Sequence, residues 1–180
     1  MTANWPRTVS LPIPHRKPGE DGIAAFLEVV WLEPARTFYG AILLVDSQGG
    51  PLEFVYNSLA APAGFLWPEA QVRRQGVPAL VRTLFSGCRR DPDLLIASPD
   101  LGDPEFCRRE MSPTIPFALA EPATDQAPAQ WTWLNAPPTP PMRAYSLAHT
   151  LQRRGLASEP LERVRAGLRE VFPYAAWGEP

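Results

Sequence analysis

The chain has 180 residues, with 17 Lys and Arg against 19 Asp and Glu, so its formal net charge is −2. That length suits one domain able to bury roughly 70% of the surface its unfolded form exposes, and the near-neutral charge gives no whole-molecule attraction to nucleic acid. The longest apolar runs, such as Ala41 to Val45 and Leu94 to Ala97, fall far short of the ~20 residues that span a bilayer. No membrane segment is expected, and with no apolar h-region in Met1 to Pro18 the expected location is the cytoplasm.

Residues 1–22 read as a Pro-rich arm, with prolines at 6, 12, 14 and 18; proline fixes φ and pushes its predecessor out of the helical region. Within it Thr8 to Ile13 is either an edge strand or unattached. An α/β core is expected over residues 23–134. It opens with an antiparallel meander: Ile23 to Leu32, then Phe38 to Val45 after a break at Glu33-Pro34, then Pro51 to Tyr56 after the turn Asp46 to Gly50. In the third strand, alternation would put Leu52, Phe54 and Tyr56 on one face and Glu53 and Val55 on the other.

Leu59 to Glu69 reads as a loop presenting Phe65, Leu66 and Trp67. A helix follows, interrupted or restarted near Pro78, with Val77, Leu80, Val81, Leu84 and Phe85 at helical spacing and Gly87 ending it. Asp93 to Ser98 is a short buried strand, parallel to a meander strand because a helix separates them. Between Asp100 and Met142 prolines recur, and only Ile115 to Leu119 and Trp131 to Leu134 read as strands. Residues 135–142 form a polyproline-like spacer. Residues 143–180 hold a C-terminal helical pair, Arg143 to Arg154 and Glu159 to Phe172, the second with Ser158 as N-cap.

Chemical motifs are sparse. Cys88 and Cys107 stand 19 residues apart with no histidine nearby, which is not zinc-finger spacing, and two free buried thiols are expected. Neither glycine-rich phosphate loop, G-x-x-x-x-G-K-[ST] or G-x-G-x-x-G, occurs. Ser98 lacks a surrounding G-x-S-x-G, so it is not read as a hydrolase nucleophile. Sixteen of the 17 basic residues are Arg, and the doublets at 73/74, 89/90, 108/109 and 153/154 are candidates to line an anionic ligand or partner, because a guanidinium pairs bidentately with phosphate or carboxylate. Isolated doublets are more often solvated surface, and that is the favoured reading.

A meander followed by a helix and a parallel strand opens the ribonuclease H-like fold, among others. Phe26-Leu-Glu-Val-Val30, Gly64-Phe65-Leu66 with Glu69, Pro78-Ala-Leu-Val81, Pro92-Asp-Leu-Leu-Ile96 and Pro113-Thr-Ile115 together resemble endonuclease V over about half the chain. The resemblance implies a nuclease site in which Glu28, Glu69 and Asp100 converge to bind Mg²⁺. Divalent ions roughly 3.5–4 Å apart would then stabilise the attacking and leaving oxygens of a phosphodiester. Arg73, Arg74, Arg108 and Arg109 would hold the nucleic-acid backbone.

The chain departs from that pattern. Its first acid is Glu rather than Asp, Ser98 stands where the second aspartate would fall, and the family's histidine and late lysine have no counterparts. The bland readings are that Glu28 faces solvent at a sheet edge, that Glu69 belongs to a helix's first turn, and that Asp46, Asp100 and Asp103 are loop acids. The favoured expectation is therefore an accessory protein of nucleic-acid metabolism, weakly active or inactive. The alternatives are a Mg²⁺-dependent nuclease and a subunit that binds a protein partner through its Pro- and Trp-rich arms, since Trp and Arg dominate interface hot spots and six Trp are present.

Overall fold

The computed structural model describes residues 8–13, 22–33, 35–61, 68–111, 114–121 and 129–177, the side chain of Glu110 excepted. The rest of the Pro-rich head and the Gly64 to Leu66 loop lie outside the described residues. Among those described, seven strands form one mixed sheet and four helices flank it. The strands are β1 (Val9–Pro12), β2 (Ile23–Leu32), β3 (Thr37–Asp46), β4 (Pro51–Ala60), β5 (Leu94–Ala97), β6 (Phe117–Glu121) and β7 (Gln130–Trp133). In space they run β1-β4-β3-β2-β5-β6-β7.

The meander β2–β3–β4 is antiparallel throughout, and β5 and β6 run parallel to β2. β1 extends the sheet antiparallel beyond β4, so the N-terminal segment is the edge strand. β2 is consequently a central strand, covered on both faces, which is why it is almost continuously apolar. Leu27 and Val29 join one core layer, Ala24 and Phe26 the other.

The first layer is closed by α1 (Glu69–Gly87) and α2 (Pro104–Met111), the second by α3 (Arg143–Arg153) and α4 (Glu159–Val171). α1 does not break at Pro78; the proline lies inside one 19-residue helix. Its missing N–H and its ring cost about 3 kcal/mol in a helix interior. Burial of Val77, Leu80, Val81 and Leu84, at about 1.5–3 kcal/mol each, outweighs that.

Three further expectations are corrected. The third meander strand does not alternate from its start: register slips between Leu44 and Val45, which face Glu53 and Pro51, so Leu52 is bulged out and joins Val55 in the α1 layer. Ser158 occupies the N-cap position of α4, but its hydroxyl makes no capping bond; its carbonyl accepts from Leu161 N at 2.9 Å. α2 lies where a loop was expected. Asp103 Oδ1 caps its first turn by accepting from Phe106 N at 2.9 Å, with Pro104 at the position where a lost N–H costs nothing.

Asp46 is the turn residue expected, its Oδ1 accepting from Gln48 N at 2.9 Å and Gly50 N at 2.8 Å. Both cysteines are free, Cys107 buried and Cys88 only partly so, and burial pushes the Cys88 thiol up to about 12 and that of Cys107 up to about 11, which disfavours the nucleophilic thiolate. No helix among the described residues is long and apolar enough to cross a membrane.

Candidate functional site

β2 and β5 lie side by side and point the same way, and their C-terminal ends open onto the face where ligands collect in open α/β sheets. Ser98, the residue after β5, is tied to β2 by its N–H donating to Leu27 O at 3.1 Å. That bond fixes Ser98 beside Glu28. A single 3-10 turn, Pro99–Leu101, then carries Asp100 forward, and Ser98 Oγ accepts from Asp100 N at 3.3 Å.

Glu28 pairs in register with the small residue Ala41 on β3 and points toward the α4 face, 1% exposed. The expectation of a solvent-facing edge glutamate fails because β2 is central. α4 buries Leu161, Val164 and Leu168 against that face, which leaves Arg165 flanking the buried stripe and able to reach the strand ends. Its Nε donates to Glu28 Oε2 at 3.0 Å, and its Nη2 donates to Ser98 Oγ and to Asp100 Oδ2, each at 3.0 Å.

One guanidinium thus joins the acid of β2, the serine after β5 and the acid beyond it. Burial pushes the Glu28 carboxyl up to about 7 from its ordinary 4.5. The charge and hydrogen bond of Arg165 and a hydrogen bond from Ser98 work against that rise, and the Asp100 charge adds to it.

Of the expected acids, Glu28 and Asp100 come together and Glu69 does not join them. Glu69 is the first residue of α1, half-exposed, and pairs with Arg73 Nε at 3.7 Å on the next turn. Among the described residues no three His, Cys, Asp or Glu side chains are grouped so as to hold a metal ion. The donor set does not fit a pair of divalent ions, because the two neighbouring carboxylates share the Arg165 cation and the third stands apart from them on the first turn of α1.

The cluster forms one wall of a cleft of about 560 Å³, lined also by Val29, Trp31, Arg73, Arg169 and Trp177. Trp31, Arg73 and Asp100 border a second lobe of about 300 Å³, into which Arg74 and Phe106 also project. Of the four expected phosphate contacts, Arg73 and Arg74 therefore line the cleft. Arg108 is held elsewhere, its Nε donating to Leu134 O at 2.8 Å and its Nη1 pairing with Glu105 at 2.9 Å; Arg109 lines neither lobe.

Sequence reading missed Arg165 and Arg169, and counted Trp177 only among the six Trp of a protein-binding reading. The i, i+4 spacing of Arg165 and Arg169 puts them on one helix face, but only the tertiary fold brings that face over β2. No known protein-family pattern matches the chain, and no curated protein matches it. Among solved structures, endonuclease V of Bacillus subtilis is similar with a TM-score of 0.41 and 10% identity, over 57% of this chain and 46% of that one. The chain thus spans less than half the length of that protein.

Proposed function

We propose that this chain is an accessory domain of nucleic-acid metabolism with a ribonuclease H-like arrangement and no nuclease activity of its own. One observation carries the silent part of the reading: Arg165 is hydrogen-bonded to Glu28, Ser98 and Asp100 at 3.0 Å each. A positive charge already sits where a nuclease would need carboxylates open to divalent ions. The fold reading is supported by the opening itself, a three-strand meander, then α1, then β5 parallel to β2. The nucleic-acid reading is supported by the cleft, where Arg73 and Arg74 stand among aromatic side chains.

The test pairs two assays on the purified chain. Labelled single- and double-stranded DNA and RNA are incubated with Mg²⁺ or Mn²⁺, with Glu28→Gln as control, and binding to the same probes is measured at low salt. The expected result is retention of nucleic acid, lost as salt rises, with no cleavage above the control. Metal-dependent cleavage that Glu28→Gln abolishes would overturn the silent reading, and failure to bind any probe would overturn the nucleic-acid reading.

A further inference from the structure

The larger lobe of the cleft sets guanidinium groups from two helices around indole rings. Arg165 and Arg169 come from α4 and Arg73 from α1, and the lining includes both Trp31 and Trp177. Arg165 is held by Glu28 and Asp100. Arg73 meets Glu69 only at 3.7 Å between two half-exposed side chains, a pairing worth little in water. Arg169 has no ion-pair partner among the described residues. Arg73 and Arg169 are therefore the two charges left to meet an anion.

The indoles are constrained in a matching way. Trp177 donates its Nε1–H to Phe172 O at 3.0 Å and packs against Tyr39, ring centroids 5.5 Å apart. Trp31 donates its Nε1–H to Glu33 Oε2 at 2.5 Å and leans on Phe38 at 4.5 Å. Both N–H donors are used, and the Trp31 ring already meets the Arg36 guanidinium at 5.9 Å as well as Phe38, so the ring surface left for a ligand is that of Trp177. A stacked base suits such a surface whatever its sequence.

Resting on the nucleic-acid reading above, we infer that this cleft binds single-stranded nucleic acid, stacking a base on Trp177 while Arg169 and Arg73 take the flanking phosphates. The volume of about 560 Å³ falls within the roughly 300–1,000 Å³ of small-ligand sites. That accommodates an unpaired nucleotide or two and not a base pair still stacked in a duplex. Selection for single strands follows from shape, and tolerance of sequence from stacking.

The experiment measures fluorescence anisotropy of a labelled oligothymidine of about 15 nucleotides, its duplex with oligoadenine, and competition by thymidine monophosphate. Wild type is compared with Arg169→Glu, a change at an exposed position, and with Trp177→Phe and Trp177→Ala, folding being checked by circular dichroism. The single strand is expected to bind at least about 10-fold tighter than the duplex and to outcompete the mononucleotide.

Trp177→Ala should weaken single-strand binding about 5- to 100-fold, with Trp177→Phe in between. Arg169→Glu should weaken it and flatten the salt dependence by at least about 0.7 in log–log slope. Equal affinity for the duplex, or folded Arg169→Glu and Trp177→Phe proteins that bind as wild type does, overturns this assignment and leaves the broader nucleic-acid reading intact. Mononucleotide binding as tight as the oligomer's makes the site a nucleotide pocket and also overturns it. Absence of binding to every probe overturns this assignment, and the broader reading falls with it only if the DNA and RNA probes of the first test are not retained either.

Discussion

Arg165 Nε donates to Glu28 Oε2 at 3.0 Å across 137 residues of sequence, and the contact joins a half-exposed cation to a carboxylate that is 1% exposed. A buried carboxylate that loses the cation beside it must either stay charged at high cost or take up a proton. Arg165→Ala should therefore destabilise the protein by about 1–3 kcal/mol at pH 8. The loss should shrink toward pH 5.5, where Glu28 is protonated in either protein. Urea unfolding at the two pH values checks this; an equal loss at both would mean that Arg165 acts by packing its stem.

The same glutamate makes stability depend on pH in an unusual direction. Its folded value of about 7 lies above its ordinary 4.5, so between those values the folded state holds more protons than the unfolded one. Stability then falls as pH rises. The contribution is fully present below about pH 4.5 and lost as pH passes 7; a shift of this size corresponds to about 3 kcal/mol. Glu28→Gln cannot titrate, so wild-type stability minus that of the variant should decline from pH 4.5 to pH 8. A flat difference would show that Glu28 stays ionised in the folded state across this range.

Much of the scaffold was legible in the sequence because its signals are local. The meander shows as apolar β-branched runs separated by Glu33-Pro34 and by the Asp46 turn, and the last helix shows as the periodic stripe Leu161, Val164, Leu168 and Val171. α2 was hidden for a different reason. Its eight residues carry too short a stripe to read, and the prolines around it suggested a loop, although Asp103-Pro104-Glu105 is an N-terminal signature. The bulge at Leu52 left no mark because a bulge depends on the partner strand. The site was half legible: Glu28 and Asp100 could be picked as acids near strand ends, whereas Arg165 lies on the last helix and only α4 packing over β2 brings it there. Glu69 was chosen by motif, and the motif did not foresee that a helical neighbour, Arg73, would engage it.

The short helix gives a prediction of its own. α2 begins on the Asp103 cap and brings Phe106 to the smaller lobe of the cleft. Asp103→Ala removes the acceptor and leaves Phe106 N without it, which should cost about 0.5–2 kcal/mol, while Asp103→Asn should recover most of the loss. Thermal melts of the three proteins test the order. Wild-type stability in Asp103→Ala would mean that α2 is held by Cys107 and Leu101 in the core rather than by its cap.

Gly76 tests how tightly α1 lies on the meander. A Cβ added there would come within 2.4 Å of a Phe38 ring carbon, and Phe38 is itself 1% exposed. In an exposed helix interior, Gly→Ala gains roughly 0.8–1 kcal/mol from helix propensity. Forcing a methyl into a filled core costs about 1–3 kcal/mol, and the Phe38 ring can yield only toward the smaller lobe it lines, by giving up its packing on Trp31. The core term should win, so Gly76→Ala is expected to lower stability by about 1–2 kcal/mol, with α1 displaced from Phe38. Because Phe38 packs against Trp31 at 4.5 Å, the Trp31 fluorescence should shift as well. In a Gly76→Ala, Phe38→Leu double variant the smaller side chain makes room for the methyl. There the alanine should cost less than it does beside Phe38, and urea unfolding of the four proteins measures that difference directly.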